Sequence, residues 1–370
     1  MNYNINEQAL GFDRVLPWEN QVEVLVKEGG RYFLQICAPE AGSVAFVLGD
    51  RKEMCTRAEN GIWRLEYKDR VGMQYVELLI DDVPVLTPLL PIAHGYGRPY
   101  NYVELETADD DFYRIKDVPH GSVRREYFFS ETTGEWESCM VYTPYCYEER
   151  TEEEFPVLYL QHGRGENEVS WTSSGKVNII LDNLIAEKKA VPMVVVMSSG
   201  MVQTVSEDGK RIVDYLLLEK QMLSDIIPYI ETKFRVGKSR EQRAMAGLSM
   251  GSQQTSIIGF KHPEYFSALG IFSGFVVDRI QGSASDMVRH GVSDNRHLEI
   301  LEDAAAFEKL FPVYFRAIGD QDPFLQERFI PDDRLLEQKK IHHIRKIYHG
   351  GHDWNVWRMC ICDFAQLIFK

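Results

Sequence analysis

Residues 243 to 254 read Arg243-Ala244-Met245-Ala246-Gly247-Leu248-Ser249-Met250-Gly251-Ser252-Gln253-Gln254, and this stretch decides the fold. Arg243 to Ala246 is an apolar run of strand length and Ser252 to Phe260 reads as a helix, so Gly247-Leu248-Ser249-Met250-Gly251 occupies a strand-to-helix turn. A turn this sharp forces the serine into a cramped backbone conformation. Side chains two positions away on either side must nearly vanish, and Gly247 and Gly251 meet that need. Ser249 then projects its hydroxyl from the top of a sheet. The helix that starts here turns its free amides and positive dipole end toward any anion forming beside the serine, and the Met250 N–H is the first donor.

Outward from this turn, Phe155 to Leu160, Val191 to Met197, Ala268 to Phe272 and Val313 to Ile318 are further continuous apolar runs, as strands covered on both faces require. Helical stretches lie between them, clearest in Tyr215 to Phe234, where Leu216, Leu217, Leu223, Ile226, Ile227 and Ile230 recur at helical spacing. Arg125 to Phe129 and Glu137 to Thr143 read as a hairpin turning at Thr132, Thr133 and Gly134, followed by a charged loop, Glu148 to Glu154. Alternating strands and helices predict a mostly parallel α/β sheet.

A hydroxyl is a weak nucleophile at neutral pH; it needs a base, and the base needs an orienting carboxylate. The strand Pro312 to Ile318 ends in Gly319-Asp320-Gln321-Asp322-Pro323, which puts two carboxylates at the carboxyl edge of the sheet, and Asp322 or Asp320 is the acid. The next strand, His342 to Tyr348, runs into His349-Gly350-Gly351-His352-Asp353-Trp354. Its paired glycines let the loop fold back toward the serine, making His352 the base and His349 a packing or rim histidine. Asp353 caps a last helix, Trp354 to Phe369.

Pro156 to Gln161 ends in His162-Gly163-Arg164-Gly165-Glu166-Asn167-Glu168, where glycines allow a backbone amide to face the pocket. The Arg164 N–H is the second oxyanion donor, while Glu166 and Asn167 read as turn formers. Trp171 is either an apolar wall of the pocket or a core tryptophan; with Arg164 and Gln161 it makes up the candidate substrate contacts.

The front of the chain has a different pattern. Tyr32 to Ala38, Ser43 to Leu48, Gly61 to Tyr67 and Met73 to Ile80 are short alternating runs, the sign of an antiparallel sandwich. Asp81, Asp82 and Pro84 mark a tight turn, and Pro88, Pro91, Gly95, Gly97 and Pro99 an irregular exit. The expected organisation is a sandwich over residues 1–107, a connector over 108–122 and the catalytic unit over 123–370.

The 370 residues carry 41 Lys plus Arg against 56 Asp plus Glu, a formal charge of -15 and the wrong sign for a nucleic-acid or anionic-membrane partner. No apolar run approaches the roughly 18 residues a membrane helix needs, and Met1 to Leu10 lacks the basic and apolar regions of a secretory signal, so the expected location is cytoplasmic. A chain whose leader had been removed would read the same. Cys37, Cys55, Cys139, Cys146, Cys360 and Cys362 show no CxxC spacing, and reduced thiols are expected, with no disulfide or structural zinc.

Four segments together carry a family resemblance: Tyr159-Leu160-Gln161-His162-Gly163, Gly247-Leu248-Ser249-Met250-Gly251, Gly319-Asp320-Gln321-Asp322 and Gly350-Gly351-His352-Asp353-Trp354-Asn355-Val356-Trp357. The chain resembles the esterase D and enterochelin-esterase-like α/β hydrolases, which include the family 1 carbohydrate esterases. In that family the acid closes a Gly-x-x-Asp segment about 30 residues before the histidine, so the resemblance selects Asp322 over Asp320. Gly61-Ile62-Trp63 and Asp81 to Pro88 look like the immunoglobulin-like modules, similar to family 48 carbohydrate-binding modules, that precede such esterases. Relatives often read His-Gly-Gly-Gly where this chain has Arg164, a cation suited to an acidic substrate group or to solvent.

The resemblance implies an acyl-enzyme serine esterase with Ser249, His352 and Asp322 as triad and no cofactor, acting on feruloyl or acetyl esters of plant-wall oligosaccharides. Its alternative is a catecholate siderophore lactone. A reading of another class is an inert glycan-binding protein using exposed aromatics such as Trp18 or Trp63. The expected partners are a small-molecule or oligosaccharide ester substrate, with homo-oligomerisation left open. The pocket's shape rests on the segments 198–210 and 281–302.

Overall fold

The computed structural model describes residues 22–68, 71–105, 108–206, 208–276, 288–289 and 296–370. Trp18 and most of the segment 281–302 lie outside the described residues. The chain divides into two compact units, Met1–Asp111 and Phe112–Lys370.

The first unit is built from two antiparallel sheets. One orders Leu25–Glu28, Arg31–Cys37, Ile62–Tyr67 and Thr56–Arg57; the other orders Arg51–Met54, Val44–Leu48, Gly72–Ile80, Arg98–Leu105 and Ile92–Gly95, with Val83–Val85 added to Gly72–Ile80. Period-two alternation aims Leu34, Ile36, Phe46, Val76 and Leu78 into one core. Trp63 belongs to that core, 7% exposed, and its indole N–H donates to Ala38 O at 2.9 Å. It therefore presents no open ring face for a sugar. The expected irregular exit is instead a hairpin, Ile92–Gly95 against Arg98–Leu105, because Tyr96 and Gly97 both take positive φ and turn the chain in two residues.

The second unit holds an eight-stranded sheet, numbered here in chain order: β1 Ser122–Ser130, β2 Glu135–Thr143, β3 Val157–Gln161, β4 Val194–Ser198, β5 Arg243–Leu248, β6 Ala268–Phe272, β7 Val313–Gly319 and β8 Ile344–Tyr348. The spatial order is β1-β2-β4-β3-β5-β6-β7-β8. β1, β2 and β4 pair antiparallel, and all pairs from β4 to β8 are parallel. Every residue of β3, β4, β5 and β6 is buried, the two-sided burial that continuous apolar runs require. Strand order reverses between β3 and β5, and a crevice opens at the carboxyl ends of strands where that happens. The loops after β3 and β5 are the ones that carry Arg164 and Ser249.

The expected helix Tyr215 to Phe234 forms as three pieces: Leu217–Gln221, a wide turn Met222–Ile226, and Ile227–Lys233. Pro228 lacks an amide hydrogen, and the wide turn precedes it where the ladder would otherwise lose a bond. The last helix stops at Ala365. A small sheet forms from Gln203–Val205 and Val288–Arg289, which lie in the segments 198–210 and 281–302, together with Arg211–Asp214.

Candidate active site

Ser249 sits between β5 and the helix Met250–Lys261 at φ 49° and ψ −115°. A non-glycine residue there stores strain on the order of 1–3 kcal/mol, which the surroundings must hold. They do so through the Ser249 N–H, which donates to Phe272 O at 2.9 Å, and through Ser252 Oγ, which donates to Ser249 O at 2.5 Å. A Cβ on Gly247 would overlap the Gly251 carbonyl; one on Gly251 would overlap His162 O and lie 2.8 Å from Gln161 Cβ. The two glycines let the turn close on itself and seat it on the end of β3.

The loops after β7 and β8 bring their side chains to this serine. His352 Nε2 lies 2.9 Å from Ser249 Oγ, and His352 Nδ1 lies 2.7 Å from Asp322 Oδ2. Asp322 is buried, and its Oδ1 accepts the Phe324 N–H at 3.0 Å, so the carboxylate cannot swing away from the imidazole. Phe324 and Trp357 stand edge-on to the His352 ring at 5.2 and 5.1 Å between centroids and confine its tilt. Asp320 has another duty. It accepts from Gly350 N–H at 2.9 Å and pairs with His349 Nδ1 at 3.1 Å, and these contacts, the Gly350 amide first, hold its carboxyl below the usual range. His349 is exposed at the rim. Asp353 caps the last helix through the Asn355 and Val356 amides.

The loop after β3 runs against the nucleophile, since a Cβ on Gly163 would lie 3.5 Å from Ser249 Cβ. The amides of Arg164 and Met250 lie next to Gly163 and Ser249, on the two loops that meet here. Among the described residues neither has an acceptor, and Met250 opens a helix whose first amides lack intrahelical partners. The Arg164 side chain is exposed; its positive charge acts on the Tyr215 phenol.

Two expected substrate contacts are corrected. Trp171 is 1% exposed, donates its indole N–H to Gln161 O at 2.9 Å and packs edge-on to Trp354 and Phe272, so it is a core residue beneath the site. Gln161 is fully buried and its side chain donates to Ser198 Oγ at 3.2 Å, which leaves it no surface for substrate. Glu166, which reads as a turn former in the sequence, is buried and accepts the Gly163 N–H at 2.8 Å. A carboxylate amid glycines directly after a buried strand was the available signal, since glycine amides in such a loop need acceptors.

Comparison with known proteins places the chain among esterases. A family described as "Putative esterase" matches residues 130–364, a span containing Ser249, Asp322 and His352. An endo-1,4-beta-xylanase/feruloyl esterase of Xylanibacter ruminicola is 32% identical over 360 residues, 94% of this chain and 46% of that protein. This chain therefore spans less than half the length of that relative. A ferulic acid esterase of known structure, 26% identical, superposes with a TM-score of 0.57 over 67% of this chain and 97% of its own. The enterobactin esterase of Shigella flexneri, 13% identical, shares the fold with a TM-score of 0.62 over 92% of this chain and 94% of its own.

Proposed function

This chain belongs to the esterase family that matches residues 130–364, and from that premise we propose that it is a serine carboxylic ester hydrolase acting on feruloyl or acetyl esters of plant-wall oligosaccharides. The observation that carries the reading is the imidazole of His352 bridging Ser249 Oγ at 2.9 Å and Asp322 Oδ2 at 2.7 Å. Ser249 Oγ attacks the ester carbonyl while its proton passes to His352 Nε2. The oxyanion takes hydrogen bonds from the Arg164 and Met250 amides. Collapse breaks the acyl–oxygen bond, and His352 returns the proton to the departing sugar hydroxyl. Water then attacks the acyl-enzyme, gives its proton to the same nitrogen, and the acid leaves with Ser249 restored. Asp322 keeps Nδ1 protonated and steadies the imidazolium in both halves.

The names of the 32% and 26% identical relatives support the feruloyl part of the reading. The Shigella enzyme supports a second substrate, a catecholate trilactone, through likeness of fold over 92% of this chain. The test is a panel of methyl ferulate, acetylated xylo-oligosaccharide, 4-nitrophenyl acetate and a catecholate trilactone, with wild type and Ser249→Ala. The serine variant is expected to lose at least about 1,000-fold on the preferred ester. Equal rates in the two proteins would remove the covalent mechanism, and a preference for the trilactone would replace the carbohydrate substrate.

A further inference from the structure

Several buried carboxylates of the second unit hold the fold together. Asp182 takes Tyr142 Oη, the Gly121 N–H and His120; Asp225 takes Ser130 Oγ and the Thr132 amide; Asp333 pairs with Arg316 and Arg345. Glu166 has a different setting. Among the described residues no cation pairs with it, and its hydrogen bond goes to the loop that faces Ser249, with the Trp354 indole of the last helix nearby.

Glu166 Oε2 accepts the Gly163 N–H at 2.8 Å, and the Glu166 N–H donates to Gly163 O at 3.3 Å. The same carbonyl lies 2.7 Å from His162 Nδ1, while His162 Nε2 accepts the Gly200 N–H at 3.0 Å. The network thus assigns the histidine proton to Nδ1. Gly163 O has two donors, one from each side of the loop. The Gly163–Arg164 peptide is trans, so its N–H points opposite to that fixed carbonyl.

We propose that Glu166 is a positioning residue for the ester hydrolysis inferred above, on which this proposal rests: its carboxyl holds the Gly163 N–H of the preceding peptide while its own N–H holds Gly163 O, so Gly163 is clamped from both sides and the Arg164 N–H is aimed at the oxyanion beside Ser249. Its protonation state matters to that task. Burial pushes the carboxyl up to about 8, against the lowering effect of the Gly163 N–H and of the Trp354 indole N–H, which faces it without closing a full hydrogen bond. Near pH 7 the group is mostly neutral and adds no negative charge beside the oxyanion. Above about 8 it ionises, and like charge then opposes the transition state.

The other titratable groups nearby are accounted for. On the loop itself, His162 is taken up by Gly163 O and Gly200 N–H, Arg164 is exposed, and Glu168 pairs with Arg125. Met201 accepts the Gly165 N–H and is uncharged. The loop after β8 brings His352, and the last helix brings Trp354 with Asp353 bound to its cap amides.

The test measures hydrolysis of 4-nitrophenyl acetate from pH 6 to 9.5 by the full chain and its Glu166→Gln, Glu166→Ala and Ser249→Ala variants. Glutamine keeps the acceptor without the titration. Its kcat at pH 7 should stay within about 3-fold of wild type, and the fall in kcat expected of wild type near pH 8 should vanish. Alanine removes the acceptor and should lower kcat about 10- to 100-fold with little change in KM, the mark of an interaction made in the transition state. Glu166→Ala with wild-type kcat, a wild type flat through pH 8, or an unchanged alkaline fall in Glu166→Gln overturns the proposal. Should the alanine variant fail to fold, the glutamine profile decides. An active wild type that depends on Ser249, beside indifferent Glu166 variants, sinks this proposal alone; a wild type inert on every ester sinks the functional reading and this proposal together.

Discussion

Two aspartate–histidine pairs stand after β7 and β8, Asp322 with His352 and Asp320 with His349, and only the first reaches Ser249 Oγ. Replacing the Asp322 carboxylate by an amide reverses the hydrogen-bonding sense at Nδ1 and favours the wrong tautomer. Asp322→Asn should therefore lower kcat on 4-nitrophenyl acetate by about 10,000-fold. Asp320→Asn, which loosens an exposed loop contact, should stay within about 10-fold; a comparable collapse in both variants would refute the assignment. Glu166 also has a stability signature. Its folded value of about 8 lies above the ordinary carboxylate value near 4.3, so between those limits the native state binds the extra proton and stability drains away as pH rises. Urea unfolding at pH 5 and 8 should show wild type losing stability relative to Glu166→Gln at the higher pH; a constant difference would contradict the buried, uncompensated carboxyl. The triad was legible because each member stands beside glycines or in a segment whose backbone has one plausible job. Choosing Asp322 over Asp320 needed the family spacing, because both carboxylates satisfy the edge-of-sheet argument. For Trp171 the sequence leaves wall and core both open, and for Glu166 it suggests only a turn, because their roles come from burial against distant chain, including Trp354, which local sequence does not reveal.

At the scale of elements, the turn after β5 is a joint between strand, helix and the end of β3. A methyl group on Gly251 meets backbone, the His162 carbonyl, and also Gln161 Cβ at 2.8 Å, and no flexible side-chain tip can yield to relieve it. Gly251→Ala should destabilise the protein by on the order of 3 kcal/mol and reduce turnover through displacement of the oxyanion loop. Gly134→Ala offers a control: its added Cβ has open space within 4 Å, although φ 72° still brings strain. Thermal unfolding of both variants checks the ranking, and a Gly251→Ala protein as stable as Gly134→Ala would mean the joint is looser than its geometry. Elements were legible where an apolar run went unbroken, as in β6, which forms over the expected Ala268–Phe272. They were less so where proline intervenes. Pro228 leaves the helical apolar period intact while shifting the hydrogen-bond ladder, and Pro99 hides a strand whose pairing comes from Tyr96 and Gly97.

Taken whole, the molecule keeps each unit's core within its own chain segment, and Ser249, Asp322 and His352 all belong to Phe112–Lys370. Residues 112–370 alone should hydrolyse 4-nitrophenyl acetate within about 3-fold of the full chain, since a small ester asks nothing of the sandwich. Where the cut falls matters. Asn183 Nδ2 donates to Phe112 O and Arg114 O at 3.0 and 2.8 Å, the Arg358 guanidinium lies over the Tyr113 ring, and Asp182 accepts the Gly121 N–H at 2.9 Å and pairs with His120. A chain starting at residue 123 strips partners from both Asn183 and Asp182, which are 2% exposed. Each buried polar group left unsatisfied costs about 1–3 kcal/mol, so the shorter chain should melt at least about 5 °C below residues 112–370. Adding residues 112–122 should restore the difference, whereas equal melting temperatures would show that this stretch is a connector with no part in the second unit's stability.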